Sequence, residues 1–188
     1  MRRQLLYGLG AILAAVTGLA MVANSAYYAL PSWSQKIACA VGNCPRFIEL
    51  ADWNREAVLD RETGLVWEKS PNTTERNWFL AQNLCNSQAV GGRKGWRVPT
   101  LQELTSLVDA DPANIGSPKL PPGHPFINVQ SSGAALYWSA TTFAFNTASA
   151  WRANLDIGTL GGVSAGDKNA TTNNYVWCVR GGQGGDVQ

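Results

Sequence analysis

The longest apolar run in the chain comes first. From Leu5 to Ala23 no charged residue interrupts Leu9, Ile12, Leu13, Val16, Leu19 and Val22, and the run follows the short positive start Met1-Arg2-Arg3. A positive start, an apolar stretch and then small residues at Ala23-Asn24-Ser25-Ala26 form an export signal, expected over residues 1–26 and cleaved after Ser25 or Ala26. The run is long for a cleaved signal, so a retained membrane anchor is the alternative. Polar residues of the kind that surround a twin-arginine pair are missing beside Arg2-Arg3, which points to Sec-type export.

Beyond this leader the periodicity changes several times. Residues 27–45 hold no sustained period and read as a linker or stalk, with Cys39-Ala-Val-Gly-Asn-Cys44 as a small loop open to closure by its own disulfide. A domain is expected over 46–182 and a flexible tail over 183–188. Its first clear strand is Leu65-Val66-Trp67, entered through the turn Asp60-Arg-Glu-Thr-Gly64, so a hairpin or edge strand opens the fold. Asn77 then stands as an N-cap before Trp78, Ala81, Cys85 and Ala89, whose three- and four-residue steps predict an amphipathic helix ended by Gly91-Gly92. A second helix is signalled by the capping box Thr100-Leu-Gln-Glu103 after Pro99. Leu101, Leu104, Leu107 and Val108 form its apolar face, and Asp109-Ala-Asp111-Pro112 stops it.

From Pro112 to Ser132 five prolines and two glycines leave no period of either kind, which predicts a long ordered loop. Three strand-like segments follow: Ala135-Leu-Tyr-Trp-Ser-Ala140, Ala150-Trp-Arg-Ala-Asn-Leu155 and Tyr175-Val-Trp-Cys-Val179. In the last, Tyr175, Trp177 and Val179 should share one face, with Val176, Cys178 and Arg180 on the other.

Composition narrows the functional classes. Charged residues are only 15% of the 188, while Gly reaches 19 and Trp 8, which favours turns and aromatic packing over solvated helices. Lys and Arg number 15; without Arg2 and Arg3 they equal the 13 Asp and Glu, so the part after the leader is about neutral. A field able to attract nucleic acid is therefore not expected. Outside the reducing cytosol an even cysteine count reads as a disulfide framework, and Cys39, Cys44, Cys85 and Cys178 allow three pairings. Zinc would need more ligands than Cys39-x4-Cys44 and the lone His124 provide.

Five motifs occur in order: Asp60-Arg-Glu-Thr-Gly-Leu-Val-Trp67, Trp78-x-x-Ala81-x-x-x-Cys85, Gly95-Trp-Arg-Val-Pro-Thr-x-x-Glu-Leu104, Tyr137-Trp-Ser-Ala-Thr141 and Val176-Trp-Cys-Val-Arg180. Together they resemble the Legionella collagen-like protein C-terminal domain family over roughly residues 46–182. The resemblance implies an α+β, C-type-lectin-like fold, with two helices flanking a small twisted antiparallel sheet and a long loop pinned by disulfides. It also implies an extracytoplasmic binding role, since the member that names the family is an adhesin for sulfated glycosaminoglycans. This chain departs from that member in having no collagen-like repeats before the domain and a balanced charge. Pairing Cys85 with Cys178 would tie the start of the domain to its end; a free, reactive Cys85 is the rival reading.

The remaining chemistry is sparse. No catalytic centre is expected: His124 with Ser131, Ser132 and Asp109 or Asp111 lacks a nucleophile elbow, and the oxygen-dependent enzymes of the wider fold need active-site cysteines that here read as structural. Asp109, Asp111 and Asn114 could offer oxygens to calcium, but the calcium triplets of sugar-binding lectins are missing and the segment serves equally as a helix stop. Trp67, Trp78, Trp96, Trp138 and Trp177 are expected in the core, leaving Trp33, Trp53 and Trp151 freer to meet a partner. Candidate ligand contacts are Arg93, Lys94, Lys119, Trp151, Arg152 and Lys168. The expectation is an exported, non-catalytic, cofactor-free module at the cell surface or in the periplasm that recognises a glycan or a protein, with self-association possible. The alternative is an assembly subunit of an envelope complex.

Overall fold

A computed structural model describes residues 46–109, 111, 114–133, 135–156, 162–169 and 171–182. The expected leader, the stalk with Cys39, Cys44 and Trp33, and the tail lie outside the described residues. In chain order the elements are β1 (Phe47–Glu49), β2 (Ala57–Asp60), β3 (Val66–Glu68), β4 (Asn72–Arg76), α1 (Trp78–Ser87), β5 (Trp96–Arg97), α2 (Leu101–Ser106), β6 (Leu136–Thr142), β7 (Ser149–Asn154), β8 (Val163–Asp167), β9 (Asn174–Val176) and β10 (Val179–Arg180). The class is α+β with two helices.

Two sheets form where one was expected. The first runs β1-β2-β3-β10-β5 and the second β4-β9-β6-β7-β8, all pairs antiparallel except β6 with β9. The predicted hairpin is β2–β3. Its turn is organised by Asp60, whose carboxylate accepts from Glu62 N at 3.0 Å and Thr63 Oγ1 at 2.9 Å, and Gly64 supplies the left-handed residue at φ 72°.

The expected strand at 175–179 is divided between the sheets. Residues 174–176 pair with β4 and β6, the chain crosses at Trp177-Cys178, and Val179–Arg180 pairs with β3 and β5. The alternation survives the crossing. Tyr175, Trp177 and Val179 pack into one apolar cluster with Phe47, Trp67, Leu104, Phe126 and Tyr137, while Val176 and Cys178 enter a second with Ala81, Cys85, Trp96 and Trp138. Both faces of this segment are thus buried, which is why it reads as a near-continuous apolar run.

Asn77 caps α1 by accepting from Leu80 N, and Ala81 and Cys85 are its buried residues. The helix ends at Ser87, before the glycines expected to stop it. Gly91, at φ 60°, serves instead to let Trp53 approach: a Cβ there would stand 2.6 Å from the Trp53 Cβ. The capping box of α2 is present in both directions, and Leu104 and Leu107 are fully buried. From Leu107 to Ala135 the described residues contain no helix or strand. The loop is anchored by Leu120 and Phe126, the latter edge-on to Trp177 at 4.8 Å.

Candidate functional site

The structure separates the candidate contact residues into four places. Lys119 belongs to the loop's own scaffolding: its ammonium donates to Asn114 O, its amide to Leu155 O at 2.8 Å, and its carbonyl accepts from Asp109 N at 2.8 Å. Arg152 lies across the second sheet, giving Nη2 to Ala165 O at 2.8 Å and Ser164 Oγ at 3.2 Å, and burial lowers its pKa. These bonds hold β7 to β8, so Arg152 supports the sheet. Arg93 and Lys94 are exposed beside Trp53, with the Arg93 guanidinium 5.6 Å and the Arg180 guanidinium 5.3 Å from that ring. Arg180 is fixed there by donating from Nε to Lys94 O at 2.8 Å.

Trp151 and Lys168 each border the fourth place, the β6–β7 turn. Phe143 stands edge-on to Trp151 at 5.0 Å and packs against Phe145 at 5.6 Å, and Phe145 is 93% exposed. Lys168 Nζ donates to Thr142 Oγ1 at 2.8 Å and to Thr147 O at 3.0 Å, which stiffens the turn, and sits 4.6 Å from the Trp78 ring. Desolvation there lowers the Lys168 pKa. Trp78 gives its indole N–H to Ser139 O at 2.8 Å and meets Phe79 edge-on, with Phe79 58% exposed. An aromatic ridge of Phe143, Phe145 and Trp151 therefore borders the turn, while Trp78 and Phe79 form a separate pair on the other face of β7, the face on which Ala150 packs with Trp138.

Trp67, Trp96, Trp138 and Trp177 are buried as expected, whereas Trp78 is only partly covered even with Lys168 over its ring. Phe143 and Phe145 were not singled out by sequence. Their signal was a Phe-x-Phe beside an Asn-Thr turn, where Phe143 is partly buried on Trp151 and Phe145 has no core to fill.

Cys85 and Cys178 form a disulfide with Cα atoms 5.4 Å apart across 93 residues, and both are fully buried. The reactive-thiol reading of Cys85 is thereby excluded. Beside the bond lies Glu68 on β3, a buried carboxyl that sequence reading passed over. It occupies the same strand face as Val66, an inward position by alternation. Its Oε2 accepts from Cys178 N at 3.1 Å, and burial pushes its pKa up to about 7 against that hydrogen bond.

The oxygens once open to calcium are otherwise engaged. Asp109 accepts from Asp111 N at 3.1 Å and from Asn114 Nδ2 at 2.9 Å, which closes the start of the long loop. Among the described residues no group of three His, Cys, Asp or Glu side chains is placed to hold a metal ion. His124 packs its ring against Phe126 at 5.8 Å and is driven toward its neutral form by burial.

The five motifs thus meet in one arrangement: the β2–β3 turn, α1 with its disulfide, the β5–α2 capping unit, β6, and the β9–β10 crossing. A match to the Lcl C-terminal domain covers residues 56–180. The chain belongs to this family. Within the Lcl C-terminal domain fall both helices, the disulfide, Glu68 and the aromatic ridge, while β1 lies outside the matched span yet pairs with β2 through Phe47, Ile48 and Glu49. The curated proteins contain no match to the chain.

Proposed function

We propose that this protein is an exported, non-catalytic binding module of C-type-lectin-like architecture, and that the aromatic ridge at the β6–β7 turn is its contact surface for a glycan. The observation that carries this reading is Phe145, held out at 93% exposure by a turn braced through Lys168 and backed by Phe143 on Trp151. A large apolar ring so exposed gains nothing for folding, and a cluster of aromatic rings at one turn offers sugar rings stacking faces. The buried disulfide supports a compartment outside the cytosol.

Glycan-array binding by the full-length chain, compared with Phe145→Ala and Trp151→Ala, tests the proposal. Loss of an array signal in both variants, with unchanged thermal stability in Phe145→Ala, is the expected result. An array signal indifferent to both, or a wild-type chain that binds no sugar and is isolated only in a stoichiometric protein complex, overturns it; the latter outcome selects the assembly reading.

A further inference from the structure

A concavity lies away from that turn, between the β2–β3 hairpin, the segment after α1 and the long loop. It encloses about 350 Å³, within the range of small-ligand sites, and is lined by Glu56, Glu68, Ser70, Gln88, Val90 and Ile127. Two cations, Arg55 and Lys69, also border it. Its charges are unevenly matched. Lys69 Nζ is committed to Glu49 Oε1 at 2.9 Å, and Glu56 Oε2 accepts from Gly91 N at 2.8 Å. Arg55 is exposed and forms no ion pair with Glu68, whose ionisation is governed by burial and by the Cys178 amide.

Glu68 is therefore a carboxyl only 3% exposed, bordering a cleft, with one hydrogen bond and no cation partner among the described residues. Burying a carboxylate without a counter-charge is costly, and a carboxyl so perturbed at the wall of a cleft is a candidate contact for a ligand cation. Val90 and Ile127 add apolar walls, and Ser70 a hydroxyl able to accept or donate.

We propose that this cleft binds a protonated primary amine, with the ammonium on the Glu68 carboxylate and its carbon skeleton against Val90 and Ile127. Such a group arises on an unacetylated amino sugar or on a lysine side chain, and both present the same charge and three donors. The site is independent of the aromatic ridge. Because burial holds the Glu68 pKa at about 7, docking an ammonium displaces the carboxyl proton, and affinity rises with pH through that region.

Calorimetric titration of the full-length chain with glucosamine and with Nα-acetyl-lysine amide tests this, using glucose and Nα-acetyl-norleucine amide as partners lacking the amine. At least one amine is expected to bind about tenfold or more tighter than its counterpart, and to weaken by a similar factor from about pH 7.5 to about pH 5.5. Which amine binds identifies the source. Glu68→Gln keeps a carbonyl for the Cys178 amide and is expected to abolish the preference, while Ile127→Trp, at a half-exposed position, is expected to fill the cleft and weaken binding without removing the carboxylate. Equal binding of amine and amine-free probes, no binding of either, or a preference that survives Glu68→Gln would each overturn the proposal.

Discussion

Glu68 and Cys178 grip each other twice. The Glu68 amide donates to Cys178 O at 3.2 Å while the Glu68 carboxylate accepts from Cys178 N at 3.1 Å, at the point where the last strand leaves one sheet for the other. The crossing breaks the ladder, and the side chain replaces the bond a neighbouring strand would have made. Trp177 adds its indole N–H to Glu68 O at 2.8 Å. Glu68→Ala leaves the Cys178 amide buried without an acceptor and is expected to lower stability by about 1–3 kcal/mol. Glu68→Gln keeps an acceptor and should cost less; denaturant midpoints of the two variants check the order.

The same carboxyl makes stability depend on pH in a defined direction. Its ordinary value is 4.5 and its folded value about 7, so over that interval the unfolded chain has released a proton the folded chain retains. The folded state binds more protons, and stability falls as pH rises from 4.5 to about 7 and levels off above. His124 acts oppositely, since its lowered pKa removes stability as pH falls below 6.5. The difference in unfolding midpoint between wild type and Glu68→Gln isolates the Glu68 contribution, which should decline across this window.

The disulfide closes a long loop around most of the domain. With its cysteines 93 positions apart, its removal is expected to cost about 2–5 kcal/mol, chiefly by freeing the unfolded chain. Because both sulfurs are buried, reduction should require prior opening, so a mild reductant acts slowly on the native protein. Comparing wild type with Cys85→Ala/Cys178→Ala by denaturant unfolding measures the cost, and thiol trapping over time measures the protection.

Helix caps, the hairpin turn and the strand alternation were legible in the sequence because each is a local code. Asn77 and Thr100 sit where an N-cap must, and Tyr175, Trp177 and Val179 keep one face through the change of sheet. What was not legible depends on distant partners. β4, with sequence Asn-Thr-Thr-Glu-Arg, is an edge strand that buries nothing on its outer side, so no apolar alternation marks it. The division at Trp177-Cys178 is invisible locally, since pairing with β3 and β5 is decided by chain many residues away. In the candidate site, sequence reached Trp151 and Lys168 but treated Arg152 and Lys119 as equivalents. Only tertiary packing distinguishes a cation braced inside a sheet or loop from one presented beside a ring.

The ion pair of Arg46 and Asp60 shows what such distant pairing is worth. Arg46 Nε meets Asp60 Oδ1 at 2.9 Å and Nη2 meets Oδ2 at 2.8 Å, a two-pronged contact in which the Asp60 side chain is fully buried. The same Nη2 donates to Ser106 O at 2.8 Å, tying the β2–β3 turn to the end of α2. Removing Asp60 leaves the buried Arg46 with only the more exposed Glu62, at 3.2 Å from its Nε, as a counter-charge, and the Glu62 and Thr63 donors lose their acceptor as well. Asp60→Ala is therefore expected to destabilise the fold by about 2–4 kcal/mol, somewhat below the scale for an uncompensated buried charge because Glu62 remains paired to Arg46. Arg46→Lys keeps the charge but cannot form the fork, so it should fall between Asp60→Ala and wild type. Replacing both residues, Arg46→Met with Asp60→Asn, should recover part of the loss. If the double variant proves as unstable as the sum of Arg46→Met and Asp60→Asn made singly, the two groups act separately and the contact is not a coupled pair.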